Sequence, residues 1–163
     1  MRDDAPADDC FACSLTAGVL PLVGGELHRT AHWVVEHAVG PLELGTMVVK
    51  PLRHVCHVAD LDAAETMELG PLLQEASAVA TELCRPDQVY VCLWSHSGLR
   101  PGHIHFVVEP VQRSSVVELA AGGPTYQSHR FREGVEPTPT EVEAFCEAAR
   151  PLFRRVVAGG AAS

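Results

Sequence analysis

The sequence contains no run of about 18–20 apolar residues, the length that a helix needs to cross a bilayer. Its first ten residues carry four aspartates and one arginine, whereas a secretory signal peptide begins with a basic segment followed by an apolar one. We therefore expect a soluble, cytoplasmic protein that makes no contact with membranes.

Basic residues are also scarce. Twelve Lys and Arg stand against 21 Asp and Glu, which gives a formal net charge of −9 at pH 7. A broad electrostatic contact with nucleic acid needs Lys and Arg clustered along one face, so nucleic acid is not expected as a partner. A single small phosphate site remains compatible with this charge, because a few N–H donors and cationic side chains can hold one anion.

The chain is too short for two ordinary domains, and it shows no internal repeat. Its 163 residues are 47% hydrophobic, which is enough for one compact core. Residues 1–9 are polar, charged and proline-containing, so we expect them to form a flexible leader before the ordered domain.

The first half of the chain predicts two strands and a long helix. Residues 27–37 and 45–49 have strand composition, and residues 39–44 between them have the composition of a turn or loop. Apolar residues then recur at helical spacing over residues 64–83.

The ends of that helix carry recognisable signals. Asp60 or Asp62 is expected to cap its beginning, and Arg85 followed by Pro86 is expected to end it. Pro71 lies inside the pattern, where a proline removes one backbone N–H and clashes with the preceding turn, so we expect a kink or a break there.

The second half predicts two more strands and a second helix. Residues 87–96 and 103–110 are rich in β-branched and aromatic residues, and a tight Gly/Pro loop joins them. Residues 111–136 are expected to be irregular, and residues 138–157 to form a helix interrupted by Pro151. This order of elements indicates an α+β domain on an antiparallel sheet.

Side-chain alternation along the last strand separates two faces. His103, His105 and Val107 are predicted to point one way, because successive strand residues face opposite sides of a sheet. Ile104, Phe106 and Val108 then point into the core. Two imidazoles therefore share one strand face, two residues apart.

Cys10 and Cys13 form a Cys-x-x-Cys pair near the start of the chain. Such a pair is either a redox dithiol, which usually lies between a strand and a helix, or half of a metal site. A tetrahedral zinc site needs two further ligands. His54 and His103 are candidates because each stands at the end of a predicted element, and His57 competes with His54.

The His-Ile-His-Phe-Val-Val-Glu-Pro segment at 103–110, taken with Cys10, Cys13 and the PLRHVCHVADLDAAE segment, resembles the histidine-triad family. The mark of that family is His-x-His-x-His followed by two apolar residues. The resemblance covers residues 10–110 and leaves residues 111–163 as a C-terminal extension packed on the same domain.

The resemblance assigns roles within the motif and also shows departures from it. Aligned on Gly98 and Pro110, His103 matches the first triad histidine and His105 the middle one, which is the family's nucleophile. Val107 replaces the third histidine. The usual loop glutamine is replaced by Leu99, and the Gly-His that opens an earlier strand is Gly45-Thr46 here.

The resemblance also implies a fold, a metal and an assembly. The expected fold is an antiparallel sheet of about five strands with a long helix packed on it and a C-terminal helical extension, commonly paired into a homodimer. In the zinc-binding branch of the family the metal is structural, and the positions that match its ligands are Cys10, Cys13, His54 and His103.

The implied function is that of a nucleotide hydrolase or nucleotidyltransferase. His105 attacks the phosphorus of a phosphoanhydride or phosphoramidate, and water or another acceptor cleaves the nucleotidyl-histidine intermediate. Val107 cannot donate a hydrogen bond to the phosphate. Replacement donors are hypothesised around the loop before β-strand 103–110, and these are Ser95, His96, Ser97 and Arg100.

Two other functions remain open. A zinc-stabilised nucleotide-binding module would have lost catalysis together with the third histidine. A sugar-1-phosphate nucleotidylyltransferase fits less well, because those relatives are built from two such halves and this chain has room for one. Trp33 and Trp94 are expected to be core or pocket-wall residues.

Overall fold

Five antiparallel strands form the centre of the structure, which is a computed structural model. It describes residues 7–97 and 99–159, without the side chains of residues 96, 97 and 154–159. The strand order is β1-β2-β3-β5-β4. The strands are β1 (Glu26–Arg29), β2 (Trp33–His37), β3 (Met47–Pro51), β4 (Gln88–Ser97) and β5 (Arg100–Val111).

Five helices and one 3-10 turn (Val58–Asp60) accompany the sheet in the described residues. The helices are α1 (Phe11–Thr16), α2 (Ala63–Cys84), α3 (Arg113–Leu119), α4 (Pro124–Glu133) and α5 (Pro139–Gly159). None of the helices in this part of the chain is long and apolar enough to cross a membrane. The expected α+β fold, with a five-stranded antiparallel sheet, a long helix on it and a C-terminal helix, is confirmed.

The hydrophobic core lies between one face of the sheet and helices α2 and α5. Each strand contributes alternate residues to this face, as the two-residue period of a strand requires. The strand residues in the core include Trp33, Val35, Met47, Val49, Phe106 and Val108. The helices contribute, among others, Leu72, Ala76, Val79, Phe145, Ala149 and Phe153.

Helix α2 begins and ends where the sequence predicts. The Asp62 carboxylate accepts a hydrogen bond from the Glu65 N–H (2.8 Å), and the Glu65 carboxylate accepts one from the Asp62 N–H (2.8 Å). This capping box satisfies N–H groups that the helix itself leaves unpaired. At the other end Arg85 adopts the left-handed conformation, with φ of 47°, and ends the helix.

Pro71 does not break α2, so the predicted break is wrong. The helix is continuous from Ala63 to Cys84. Pro71 is exposed, and the carbonyl that loses its donor belongs to Met67, whose side chain is 78% exposed. Water can therefore satisfy that carbonyl, and the helix loses only one internal hydrogen bond.

Three other sequence predictions need correction. Residues 27–37 form two strands, because the Thr30 hydroxyl accepts hydrogen bonds from the backbone N–H groups of His32 (3.3 Å) and Trp33 (2.9 Å) and closes a turn. Residues 111–136 are not irregular, since they contain α3 and α4. Pro151 does not interrupt α5.

The second face of the sheet carries the polar residues. Glu36 on β2 and Lys50 on β3 lie on this face with His105 and Val107 on β5, all on the side opposite to the α2–α5 core. Helix α1, the loop after β2 and helix α4 lie against it. The predicted alternation along β5 is thus confirmed.

Candidate active site and metal centre

Helix α1 brings the two N-terminal cysteines together. Cys10 is the residue that caps this helix, and its Sγ accepts a hydrogen bond from the N–H of Cys13 at 3.4 Å. One turn of helix separates the two residues, so both thiols are directed to the same side. That side faces the start of β5.

The four residues predicted as zinc ligands form one cluster. Their ligand atoms all lie within 4.8 Å of one another. The Sγ of Cys13 is 3.3 Å from Nδ1 of His103 and 3.4 Å from Nδ1 of His54, and the Sγ of Cys10 is 3.8 Å from Nδ1 of His103.

These distances match a tetrahedral zinc site. Bond lengths of about 2.3 Å to sulfur and about 2.0–2.1 Å to nitrogen place a sulfur and a nitrogen ligand about 3.5 Å apart at tetrahedral angles. The three sulfur–nitrogen distances lie on both sides of that value. Two thiols and two imidazoles are also a ligand set typical of structural zinc, so the residues present fit the metal.

The outer ring nitrogen of each histidine also has a contact. The Nε2–H of His103 donates to the carbonyl oxygen of Pro51 at 3.0 Å, and Nε2 of His54 lies 3.3 Å from the Sγ of Cys56. Such outer contacts fix the tautomer of a ligating histidine. For His103, the lone pair of Nδ1 is then directed at the two cysteines.

Burial changes the protonation of the cluster. It lowers the pKa of His103 to about 4, so the imidazole is neutral at pH 7, as a metal ligand must be. Burial, together with the thiol of Cys10, raises the pKa of Cys13 to about 11. A divalent cation among these groups reverses the second effect, because a thiol that coordinates zinc is deprotonated.

His57, the competing ligand, is not part of the cluster found among the described residues. It precedes the 3-10 turn as its N-cap residue. His54 lies three residues earlier, immediately after the bend that follows β3, and its ring reaches Cys13.

His105 lies on the same face of β5 as His103, but it faces a cavity. Its Nδ1–H donates to the carbonyl oxygen of His103 at 3.1 Å. The lone pair of the neutral ring is consequently on Nε2. Burial lowers the pKa of His105, and the positive charge of Lys50 acts in the same direction. The ring is therefore available in its neutral, nucleophilic form.

Two adjoining cavities meet at His105. The larger has a volume of about 540 Å³, and its walls are mostly apolar. They include Phe11, Leu42, Trp94, Val107 and Phe131. The smaller has a volume of about 110 Å³ and is lined by Glu36, His37, Lys50 and His105 together with apolar residues of α1, β3 and the loop after β2. Phe11, Val39, Val48 and His105 belong to both.

A buried ion pair forms one wall of the smaller cavity. The Nζ of Lys50 lies 2.6 Å from Oε2 of Glu36, and the two side chains are only 1% and 3% exposed. The ammonium also donates to the carbonyl oxygen of Ala12 at 2.9 Å. Lys50 thereby connects β2, β3 and helix α1.

Comparison with solved structures relates this arrangement to known proteins. A zinc-bound histidine triad family protein from Mycobacterium smegmatis has a TM-score of 0.66 at 15% identity, and the match covers 94% of this chain and 99% of that one. A hypothetical histidine triad nucleotide-binding protein from Sulfolobus tokodaii has a TM-score of 0.68 at 15% identity, over 90% and 93% of the two chains. The chain has the histidine triad fold.

A third solved structure has the same fold. A Hit-like protein involved in cell-cycle regulation from Bartonella henselae also has a TM-score of 0.66 at 15% identity, over 91% of this chain and 99% of its own. No model of a known protein family matches the sequence, and no curated protein matches it.

Within the histidine triad fold, the hypothesised phosphate donors occupy different places. Ser95 lines the larger cavity. Arg100 is exposed at the start of β5, and it is not among the residues that line either cavity beside His105. The backbones of His96 and Ser97 pair with the start of β5, but their side chains lie outside the described part of the structure.

Glu36 and Lys50 are not among the residues that the sequence predicts for the site. Lys50 gives one signal, since it is a charged residue in the otherwise apolar strand Met47–Pro51, immediately before its proline. Trp94 was predicted as a core or pocket-wall residue, and it lines the larger cavity with its ring 5.3 Å from that of Phe131. Trp33 is fully buried, and its indole N–H donates to the carbonyl oxygen of Glu65 at 2.9 Å.

Proposed function

We propose that this protein is a nucleotide hydrolase or nucleotidyltransferase that works through a covalent nucleotidyl-His105 intermediate. The substrate is a nucleotide joined to a leaving group by a phosphoanhydride or phosphoramidate bond. Nε2 of His105 attacks the phosphorus, the leaving group departs, and a hydroxyl acceptor then cleaves the nitrogen–phosphorus bond. The partner is thus a small nucleotide or nucleotide conjugate in the cytoplasm.

The position of the His105 ring carries this proposal. The hydrogen bond from Nδ1 to the carbonyl oxygen of His103 leaves the lone pair on Nε2, and the ring lines two cavities. A nucleophile needs this combination of a fixed tautomer and an open approach. The apolar walls of the larger cavity suit a nucleobase, with Trp94 and Phe131 as stacking partners.

The zinc ion has a structural role in this proposal. Cys10, Cys13, His54 and His103 would hold it with no position left for substrate, as in structural zinc sites with four protein ligands. The metal would then contribute to folding and hold α1 against the start of β5. It takes no part in the chemistry at His105.

Val107 favours a second candidate, a zinc-stabilised nucleotide-binding module without catalysis. Its side chain is 1% exposed and lines the larger cavity where the third triad histidine would stand. An alkyl side chain offers the phosphate no hydrogen bond, so transition-state stabilisation must come from other groups. A module that only binds nucleotides has no such requirement.

Covalent trapping distinguishes the two candidates. The protein is incubated with radiolabelled adenosine 5′-phosphorimidazolide, then with labelled dinucleoside polyphosphates, and is precipitated after rapid quenching. An enzyme retains acid-labile label on the wild type, whereas His105→Ala and His105→Gln retain none. A binding module binds the nucleotide in equilibrium dialysis and retains no label.

His129→Ala is the matched control for this experiment. His129 lies on α4 and its side chain is 36% exposed, so this variant should be labelled as strongly as the wild type. Label that persists on His105→Gln would mean that another group is modified, and it would rule out His105 as the nucleophile.

We also propose a homodimer, as the resemblance implies. Strand β4 is an edge of the sheet, and the side chains of Val91 and Leu93 on it are 45% and 40% exposed. Unpaired edge strands with apolar residues favour association with a second chain. Sedimentation equilibrium on the wild type and on Leu93→Lys measures whether this edge forms the contact.

A further inference from the structure

The buried pair of Glu36 and Lys50 is incomplete in its hydrogen bonds. Oε1 of Glu36 is buried and has no hydrogen-bond partner among the described residues. The Lys50 ammonium has three N–H bonds. The described residues supply two acceptors, Oε2 of Glu36 at 2.6 Å and the carbonyl oxygen of Ala12 at 2.9 Å. One acceptor and one donor therefore remain side by side.

Both groups line the 110 Å³ cavity that His105 also lines. Buried polar atoms without partners are rare in folded proteins, and one that lies beside a cavity is explained by a water molecule or a ligand in that cavity. One water occupies about 30 Å³ of the liquid, so this space holds about three or four waters or a small polar group. It is much smaller than the adjoining 540 Å³ cavity.

The chemistry of the two atoms selects the group that binds there. A carboxylate oxygen accepts a hydrogen bond, and an ammonium N–H donates one. A hydroxyl group satisfies both because it is donor and acceptor at once. A phosphate oxygen would instead meet the negative charge of Glu36 at short range, which is unfavourable in a buried site.

We propose that Glu36 and Lys50 bind the hydroxyl group that cleaves the His105–phosphorus bond. This inference rests on the function proposed above. The nucleotide occupies the larger cavity, and its phosphorus lies where the two cavities adjoin. The attacking hydroxyl is held in the smaller cavity, across the phosphorus from Nε2 of His105, because the entering and leaving atoms are in line in such a transfer. Lys50 holds the oxygen of the hydroxyl, and Glu36 accepts its proton.

The step balances in bonds and protons. The hydroxyl oxygen forms a bond to phosphorus while the bond between phosphorus and Nε2 of His105 breaks. The electron pair of that bond returns to Nε2, and the proton of the hydroxyl passes to Oε1 of Glu36. A positioned general base contributes about 10²–10⁴-fold to such a step.

The test removes both charges together. Removal of one partner from a buried ion pair leaves an uncompensated charge and is strongly destabilising, whereas replacement of both by apolar residues is often neutral. The Glu36→Leu/Lys50→Met double variant is therefore compared with the wild type. The same pair of substitutions at an exposed ion pair on β1, Glu26→Leu/Arg29→Met, is the matched control.

The two chemical steps are measured separately. Radiolabelled adenosine 5′-phosphorimidazolide is mixed rapidly with each protein to obtain the rate of adduct formation, and gel filtration followed by a timed quench gives the rate of adduct breakdown. We expect the double variant to slow breakdown at least tenfold more than formation. The control variant should change both rates by less than threefold.

Other outcomes overturn the inference. Equal slowing of both steps, unchanged breakdown, or a folded double variant that forms no adduct would each exclude a separate acceptor site at this ion pair. In those cases the wild type still forms its adduct and the proposed function stands. If the wild type forms no adduct, both the proposed function and the acceptor site at Glu36 and Lys50 are excluded.

A second measurement identifies the source of the hydroxyl. Breakdown of the wild-type adduct in 1 M methanol gives either adenosine monophosphate alone, when water is the acceptor, or its methyl ester as well, when the site admits an alcohol. Either product distribution supports the site if the double variant forms that product at least tenfold more slowly.

Discussion

Nδ1 of His103 lies 3.3 Å from the Sγ of Cys13, although 90 residues separate them in the sequence. This contact holds helix α1 against strand β5. Helix α1 has six residues, none of them buried, so it has little apolar packing of its own. We therefore expect its position to depend on the metal.

The first prediction concerns metal content. The Cys13→Ser variant should lose the zinc, which we expect at about one ion per wild-type chain, and should melt at a lower temperature, because metal binding contributes to folding. Inductively coupled plasma mass spectrometry and differential scanning fluorimetry measure these changes. Cys92→Ser makes the same substitution on β4, outside the cluster, and should retain the metal.

The second prediction separates the two candidate histidine ligands. His54→Ala should lose zinc, because Nδ1 of His54 lies 3.4 Å from the Sγ of Cys13. His57→Ala should keep it, because His57 lies outside the cluster. The same metal analysis decides between them, and zinc retained by His54→Ala but lost by His57→Ala would reverse the assignment.

The third prediction concerns the apolar cavity. Trp94→Ala removes one wall beside Phe131. Trp94 is the cross-strand partner of His105, but the hydrogen bond that orients the His105 ring goes to the carbonyl oxygen of His103 and stays in place. Loss of contacts that are equal in the ground state and the transition state raises KM and leaves kcat unchanged. We expect KM for the nucleotide substrate to rise about tenfold. Leu99→Ala, at a side chain 98% exposed, serves as the control. A fall in kcat with unchanged KM would contradict this role.

The fourth prediction follows from the ion pair between Arg53 and Glu65 at the N-terminal end of α2. Both Glu65 carboxylate oxygens accept hydrogen bonds from Arg53, at 2.6 and 2.7 Å, and these bonds lower the pKa of Glu65 from its ordinary 4.5. A carboxylate with a lowered pKa stabilises the fold above its ordinary pKa, and this stabilisation is lost as the pH falls through the folded-state value.

Glu65→Gln should therefore lower the free energy of unfolding at pH 7, by about 1 kcal/mol because Arg53 is half exposed. The difference in the free energy of unfolding between the variant and the wild type should stay constant above about pH 5.5. It should become smaller below pH 4.5, because Glu65 is then protonated in the wild type whereas glutamine does not titrate. Urea denaturation between pH 3 and pH 8 measures this. Glu143→Gln, at an exposed site on α5, should change stability by less than about 0.5 kcal/mol at every pH.

The fifth prediction compares two glycines with similar backbone angles. Gly24 has φ of +76° and Gly18 has φ of +70°, a region that costs other residues about 1 kcal/mol or more. A Cβ on Gly24 would lie 2.4 Å from the Sγ of Cys146, whereas a Cβ on Gly18 meets nothing within 4 Å. Gly24→Ala should therefore cost about 1–3 kcal/mol more than Gly18→Ala. If chemical denaturation shows the same loss in the free energy of unfolding for both variants, the core around Cys146 accommodates the added methyl group without destabilisation.

The elements that the sequence predicted correctly have local signals. The capping box of Asp62 and Glu65 is encoded within four residues, and the alternation of His103 and His105 follows from strand geometry alone. The metal cluster joins three distant segments, and the nine histidines and six cysteines of the chain allow many other ligand sets. Resemblance to a known pattern was then enough to bring Cys10 and Cys13 to His54 and His103.

The pair of Glu36 and Lys50 could not be predicted in the same way. Glu36 follows the apolar run Trp33–Val35 and precedes His37, and a charged residue near the end of a strand usually faces solvent. Only the strand register shows otherwise: Glu36 is opposite Val48, and Val34 is opposite Lys50, so the two charges are diagonal neighbours on one face. That register depends on the loop between the strands and on the cover that α1 provides.

Phe11 lies between the two cysteines in the sequence and lines both cavities beside His105. Chelation of the metal would release this side chain together with the backbone oxygen of Ala12 that Lys50 binds. Loss of the proposed metal would therefore change the shape of both cavities while the five-stranded sheet remains folded.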